Sequence, residues 1–167
     1  MLQDTPRGGP WIIYRITIYS PSMPNRLSLR DYRALAEVRY RIRSFLTFSE
    51  AAARRAGVEP QQHQLLLAIK GLPPGTRATV KALAERLHVQ HHSAVELAMR
   101  AESAALIVRR HSADDAREVT LHLTAHGARI LETLSHEHRH ELDVAATHLV
   151  RALNTLRRVD ARAAHVR

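Results

Sequence analysis

A cluster of polar side chains opens a short helical segment that starts near residue 91. If this segment is a helix, Ala94, Leu97 and Ala101 fall on its inward face. The opposite face could then contact phosphates and base edges through seven residues: Gln90, His91, His92, Ser93, Val95, Glu96 and Arg100. Val95 could touch a thymine methyl group, and Glu96 could accept a hydrogen bond from a cytosine amino group. From these residues alone an ordinary solvated helix face is the preferred interpretation, and a surface that reads duplex DNA is the alternative.

Arginines supply a second set of candidate contacts further along the chain. Arg117 lies in a polar, turn-compatible stretch, and its planar guanidinium could enter a narrow minor groove. Asp115, two residues earlier, could hold that guanidinium in orientation, although it could equally serve turn chemistry alone. Arg109 and Arg110 are candidates for contacts with backbone phosphates.

Histidines raise the question of a metal site. His136 and His140 are four residues apart, as are His122 and His126, so each pair could offer two ligands on one side. Neither pair has an obvious third ligand at helical spacing, and the chain contains no cysteine. We therefore expect no cofactor, while a metal-responsive regulator stays open as an alternative.

The elements that must position these residues follow from hydrophobic spacing and capping signals. Helices are predicted from Ser28 to near Gly57, over 61–70, over 80–87 and from 91 to about 104. Two β-prone segments at 106–110 and 118–123 predict a hairpin, and Thr124 can cap a long helical region. The fold class predicted is mainly α with a small two-stranded β wing, in which the two short helices form a helix-turn-helix.

An apolar stripe in the C-terminal region is too long to be buried by one small core. It runs at helical spacing through the following residues: Leu131, Leu134, His138, Leu142, Ala145, Leu149, Ala152 or Leu153, and Leu156. The first helix carries a second stripe through Leu35, Val38 and Ile42. Pairing of two chains through these helices, a homodimer, would cover both stripes.

These elements divide the chain into four regions. Residues 1–27 form an N-terminal extension of unknown role, and 28–57 form an N-terminal dimerisation helix. Residues 58–124 form a winged helix-turn-helix domain, and 125–167 form C-terminal dimerisation helices.

Charge and composition narrow the class of partner. The chain has 25 Lys and Arg against 16 Asp and Glu, a formal net charge of +9, which favours a polyanionic partner such as double-stranded DNA. The apolar run from Trp11 to Tyr19 is short and is interrupted by Arg15, so neither a membrane span nor a signal peptide is expected. The expected location is the cytoplasm.

The order of these segments resembles the MarR (multiple antibiotic resistance regulator) family. The resemblance covers about residues 28–158 and is carried by QQHQLLLAIKGLPPG at 61–75, LAERL at 83–87, HHSAVEL at 91–97, Asp115-Ala-Arg117, and Leu123-Thr124 with Gly127. It implies a dimeric winged-helix regulator whose second helix-turn-helix helix enters the major groove while the Asp-x-Arg arginine reaches the minor groove.

The resemblance also implies a response to a ligand. Related proteins commonly bind small, often aromatic, anions between the dimerisation helices and the DNA-binding lobe. The candidates for contacting such an effector are Tyr32, Arg39, Tyr40 and Arg43. The alternative, which we prefer for these residues, is that they only solvate the first helix. The function expected is then a ligand-responsive repressor that binds a pseudo-palindromic operator.

Two residues depart from the family pattern. Ala105 stands where relatives have a glycine after the helix, and alanine in a left-handed conformation costs roughly 1 kcal/mol. Ala116 stands where many relatives have a basic residue, so the wing should hold DNA less strongly.

Other classes of protein are less well supported by the sequence. The chain has no nucleophile elbow, no glycine-rich phosphate loop and no paired catalytic carboxylates, so an enzyme is not expected. A degenerate winged helix that binds another protein instead of DNA stays open. Salt-dependent binding to duplex DNA would distinguish a DNA-binding regulator from both of these alternatives.

Overall fold

The computed structural model describes residues 27–111 and 119–163, with side chains up to residue 156. Five helices and one hairpin follow in this order: α1 (Leu29–Arg55), α2 (Pro60–Lys70), α3 (Val80–Leu87), α4 (His91–Ser103), β1 (Ile107–His111), β2 (Val119–Leu123) and α5 (Ala125–Ala163). The predicted class, mainly α with a two-stranded sheet, is confirmed. The C-terminal region forms one continuous helix through residue 163, where the sequence analysis allowed for more than one.

Local capping explains why the two long helices begin where they do. The Ser28 side chain accepts from the Asp31 backbone N–H at 3.3 Å, and the Asp31 carboxylate accepts from the Ser28 hydroxyl at 2.7 Å. The carboxylate also accepts from the Ser28 backbone N–H at 2.8 Å, and the two hydrogen bonds that Ser28 donates to it lower the pKa of Asp31. At the start of α5, the Thr124 hydroxyl accepts from the Gly127 backbone N–H at 2.9 Å. Each cap satisfies backbone donors that a helix cannot pair internally.

The central helices and the hairpin share one core. Its largest fully buried side chains come from α2, α3, both strands and their approaches, and α5: Leu65, Leu66, Leu83, Leu106, Ile107, Leu121 and Leu134. The antiparallel strands pair from Ile107 with Leu123 to His111 with Val119. An additional bridge between Thr79 and Thr120 ties the start of α3 to the sheet. The α2–β2 segment is therefore a compact lobe, which we call the winged-helix lobe.

Helices α1 and α5 pack against each other in opposite directions. The C-terminal end of α1 meets the first half of α5, where Arg55 and Glu137 form an ion pair of 3.1 Å. The N-terminal end of α1 meets the far part of α5, where Arg30 and Arg151 line the same groove. No helix in residues 27–111 and 119–163 has the length and apolar character needed to cross a membrane.

The turn between α4 and β1 contains the strained residue that the sequence analysis expected. Ala105 has a φ of 54°, in the left-handed region. Its N–H donates to the Glu102 carbonyl at 2.8 Å, and the Leu106 N–H donates to the Ala101 carbonyl at 2.9 Å, which closes the end of α4. The turn from α4 into β1 therefore requires an unfavourable backbone conformation at Ala105.

We predict that Ala105→Gly stabilises the protein. Relief of the left-handed strain, about 1–2 kcal/mol, exceeds the greater backbone entropy that glycine adds to the unfolded chain, about 0.4–1 kcal/mol. The expected net gain is about 0.5–1 kcal/mol, measured by urea denaturation. The matched control is Ala104→Gly, because Ala104 has an ordinary φ of −81° and should lose stability on the same change. A loss of stability in Ala105→Gly would contradict the strain argument.

Candidate nucleic-acid interface

Helices α3 and α4 form a helix-turn-helix with a three-residue connection, His88-Val89-Gln90. His88 ends α3 with a φ of 54°, and the Val89 N–H donates to the Ala84 carbonyl at 3.0 Å. The Thr79 hydroxyl accepts from the Ala82 N–H at 3.2 Å and caps α3. In such a motif the second helix, here α4, is the one that enters the major groove.

The inward face of α4 is buried as predicted. Ala94, Leu97, Ala98 and Ala101 are each 4% exposed or less. Of the seven predicted contact residues, Gln90, His91, His92, Glu96 and Arg100 are exposed, whereas Ser93 and Val95 are half-buried. The structure therefore leaves a polar outer face with one anionic side chain, and its contact with DNA stays a prediction.

Arg100 is held by residues of α2. Its guanidinium lies 3.4 Å from a carboxylate oxygen of Glu59 and donates to the side-chain oxygen of Gln61 at 3.3 Å. These contacts fix the C-terminal half of α4 against the start of α2. Arg100 therefore helps to hold α4 against the start of α2 through its contacts with Glu59 and Gln61, whether or not it also contacts a phosphate.

Arg109 at the base of the wing is similarly constrained. Its guanidinium lies 3.1 Å from the Glu102 carboxylate, which also accepts from the Arg109 backbone N–H at 3.3 Å. Arg110 is exposed, and its carbonyl accepts from the Thr120 hydroxyl across the hairpin at 3.2 Å. Asp115, Ala116 and Arg117 lie outside the described residues.

A network around Thr124 joins the wing to α5. The Thr124 hydroxyl donates to the Ala105 carbonyl at 2.7 Å, and the Thr124 N–H donates to the Leu106 carbonyl at 3.1 Å. Gly127 packs directly on this strand entry, because a Cβ at position 127 would lie 2.1 Å from the Leu106 carbonyl oxygen. The wing is therefore anchored to the first turn of the long helix.

The structure adds residues that the sequence analysis did not select. Met99 is 55% exposed on the outer face of α4, and its spacing from His92 and Glu96 could have revealed it. Glu59 and Glu102 position the two arginines described above. The partnership of Glu59 with Arg100 joins residues on different helices, so helical spacing gave no signal for it.

The remaining candidates are not gathered into a site. Tyr32, Arg39, Tyr40 and Arg43 are all exposed along α1, and two grooves between α1 and α5 are lined by other residues of these helices. His122, His126, His136 and His140 are exposed as well. Within the part of the chain that the structure describes, no three His, Asp or Glu side chains are grouped as metal ligands.

Comparison with solved structures identifies the fold. The architecture is a winged helix flanked by two long helices. It matches a crystal structure of a MarR family transcription regulator with a TM-score of 0.62 and 23% identity, over 81% of this chain and 93% of that one. AbsC, a MarR family transcriptional regulator from Streptomyces coelicolor, matches with a TM-score of 0.60 and 18% identity, over 73% of this chain and 82% of its own.

A third structure was determined with DNA. A Staphylococcus aureus MepR mutant bound to an oligodeoxyribonucleotide matches with a TM-score of 0.55 and 17% identity, over 78% of this chain and 93% of that one. No curated protein sequence matches the chain significantly.

The family assignment rests on the sequence of the lobe together with this fold. Residues 56–118 match the MarR family model, a range that runs from the end of α1 to the start of β2. Residues 56–118 therefore match the MarR family, and the fold of the described residues is similar to that of MarR family transcription regulators. The resemblance that the sequence motifs indicated is confirmed.

Proposed function

We propose that this chain is a DNA-binding repressor that acts as a homodimer on a pseudo-palindromic operator. The observation that carries the proposal is the exposed polar face of α4, presented by a helix-turn-helix within a MarR family domain. The net charge of +9 supports a polyanionic partner. In this arrangement the outer face of α4 reads base edges, and the wing arginines contact the backbone and the minor groove.

The long helices support dimerisation. Both long helices expose apolar side chains, which we call the uncovered stripes. They are Leu29, Tyr32, Leu35, Ile42 and Leu46 on α1, and Leu142, Val150 and Leu153 on α5. Leu35 and Ile42 are 41% and 48% exposed, so the face predicted for α1 is only partly covered within one chain. A second copy would cover it, and twofold symmetry would place the two α4 helices about one DNA turn apart.

Ligand response is the finer part of the proposal. Tyr32 belongs to the α1 stripe, and Arg39, Tyr40 and Arg43 are exposed on the same helix. A small aromatic anion bound by these four residues would act on the surface through which the two copies pair. Such binding would change the spacing of the two lobes and hence the fit to the operator.

We predict that Arg117→Ala weakens duplex DNA binding about tenfold and reduces the salt dependence. In the proposed dimer each protomer loses one cation that displaces counterions, so the slope of log K against log salt should fall in magnitude by about 1.8. Fluorescence anisotropy over a potassium chloride series measures both quantities. The matched control is Arg54→Ala on α1, because Arg54 is exposed, pairs with Glu50 at 3.2 Å and lies outside the helix-turn-helix. Equal slopes for the two variants would contradict the role of the wing arginine.

A further inference from the structure

A buried aromatic cluster joins the winged-helix lobe to the long helices. It consists of Phe45, Phe48 and Ser49 from α1, His63 from α2 and His138 from α5, and we call it the junction cluster. His63 is 3% exposed and His138 is 9% exposed. Because α2 belongs to the lobe and α5 to the long helices, this cluster helps to determine how the two parts are held together.

Both ring nitrogens of His138 have hydrogen-bond partners. Its Nδ1 lies 2.5 Å from the Leu134 carbonyl oxygen, and since a carbonyl can only accept, Nδ1 carries a hydrogen. Nε2 lies 2.7 Å from the Ser49 hydroxyl, so in the neutral ring it accepts from that hydroxyl. The His138 ring thus satisfies both of its nitrogens and links α5 to α1.

His63 lies against this ring. The two imidazole centroids are 4.7 Å apart with an interplanar angle of 42°, and Phe45 and Phe48 approach His138 edge-on at 5.6 Å. Two charged imidazoles at this distance would repel each other in a poorly solvated environment. The packing therefore disfavours a charged His63 ring beside His138.

Charged groups near the cluster already have partners. Glu59, the N-cap residue of α2 and one turn before His63, pairs with Arg100 of α4, and Glu137, beside His138 on α5, pairs with Arg55 of α1. Burial, and after it the field of His138, lower the pKa of His63 to about 4. The neighbouring carboxylates do not reverse this direction.

We propose that the junction cluster is an acid-sensitive joint, in which proton uptake by His63 requires its ring to leave His138 and so loosens α2 from α5. In the closed joint His63 is neutral, whereas in the opened or unfolded chain it binds a proton at its ordinary pKa of 6.5. Stability from the joint is fully present above pH 6.5 and is lost as the pH falls from 6.5 towards 4. The consequence for DNA affinity rests on the proposed function, since the joint positions the lobe that carries α4.

Unfolding in urea at fixed protein concentration tests the joint without DNA. Between pH 7.5 and pH 5, His63 alone should raise the unfolding equilibrium constant of the wild type roughly thirty-fold. His63→Gln and His63→Phe should lack this contribution, and Phe keeps an aromatic ring in the stack. The control His136→Gln removes an exposed histidine two residues from His138 and should keep the wild-type dependence. An equal pH dependence in the wild type and in a folded His63 variant would overturn the proposal.

Nuclear magnetic resonance on the wild type keeps the test independent of any variant's stability. The His63 imidazole signal should stay close to its neutral position down to about pH 5 and should titrate with a midpoint at about 4. A titration midpoint near 6.5 would overturn the proposal.

Binding of the wild type and His63→Phe to the same duplex at pH 7.5 and pH 5 tests the functional consequence. We expect the dissociation constant of the wild type, divided by that of His63→Phe, to rise at least threefold between pH 7.5 and pH 5. A constant ratio would show that the joint does not act on DNA binding. If neither protein binds DNA at either pH, the proposed function fails, while the urea and resonance data still decide on the joint.

Discussion

Replacement of Gly127 by alanine is expected to destabilise the fold by about 3 kcal/mol or more. Gly127 is buried in the first turn of α5, and an added Cβ would lie 2.1 Å from the Leu106 carbonyl oxygen and 3.0 Å from its carbonyl carbon. These atoms belong to the backbone at the entry to β1, so no side chain can rotate to make room. The substitution would push the wing away from α5 or distort both. Urea denaturation at neutral pH measures the loss.

Gly71→Ala is the matched control for this prediction. Gly71 follows α2, and an added Cβ there would meet the Leu67 carbonyl at 3.1 Å, a tight contact that a small shift can relieve. Its effect should stay within about 1 kcal/mol. If Gly127→Ala were as stable as Gly71→Ala, the close packing of α5 on the wing entry would be wrong.

Introduction of charge into the uncovered stripes is expected to abolish dimerisation. Ile42→Glu combined with Leu142→Glu replaces an exposed apolar residue on each long helix, and twofold symmetry repeats both changes in the partner. Each substitution removes about 1.5–3 kcal/mol of favourable free energy from burial of an apolar side chain. Each also requires a carboxylate to lose water in the interface, which weakens association further. Light scattering should then give a mass near 18.9 kDa, whereas the wild type should give about twice that value.

The same double variant should bind a two-half-site duplex on the order of a hundredfold more weakly, because two lobes no longer act at high effective concentration. Leu67→Glu on α2 provides the control, since Leu67 is 51% exposed but lies outside the uncovered stripes. It should remain dimeric and bind as the wild type does. Dimerisation of the double variant would exclude these stripes as the interface.

The elements of the fold could be predicted from local signals. Ser28 with Asp31 marks the start of α1, and Thr124 marks the start of α5, because helix capping depends on residues three or four apart. The strands differ from the prediction by about one residue at their ends. The strain at Ala105 was also predictable, since a turn that favours glycine contains another residue.

Contacts between distant segments could not be predicted in this way. His63 and His138 are 75 positions apart, and only the packing of α2 on α5 brings their rings together. The Arg100 contacts with Glu59 and Gln61 likewise depend on the arrangement of α4 and α2. Periodicity assigned Leu35 and Ile42 to an apolar face, but it could not show whether the same chain or another one covers that face.

Selection of duplexes from a random pool by the full chain, at about 0.15 M salt, tests the central claim most directly. A pair of lobes that places two α4 helices in successive major grooves should enrich sites made of two inverted half-sites about 10 base pairs apart, centre to centre. A pool that stays random after repeated selection, or enrichment of one isolated half-site, would contradict a dimeric regulator that reads a pseudo-palindromic operator.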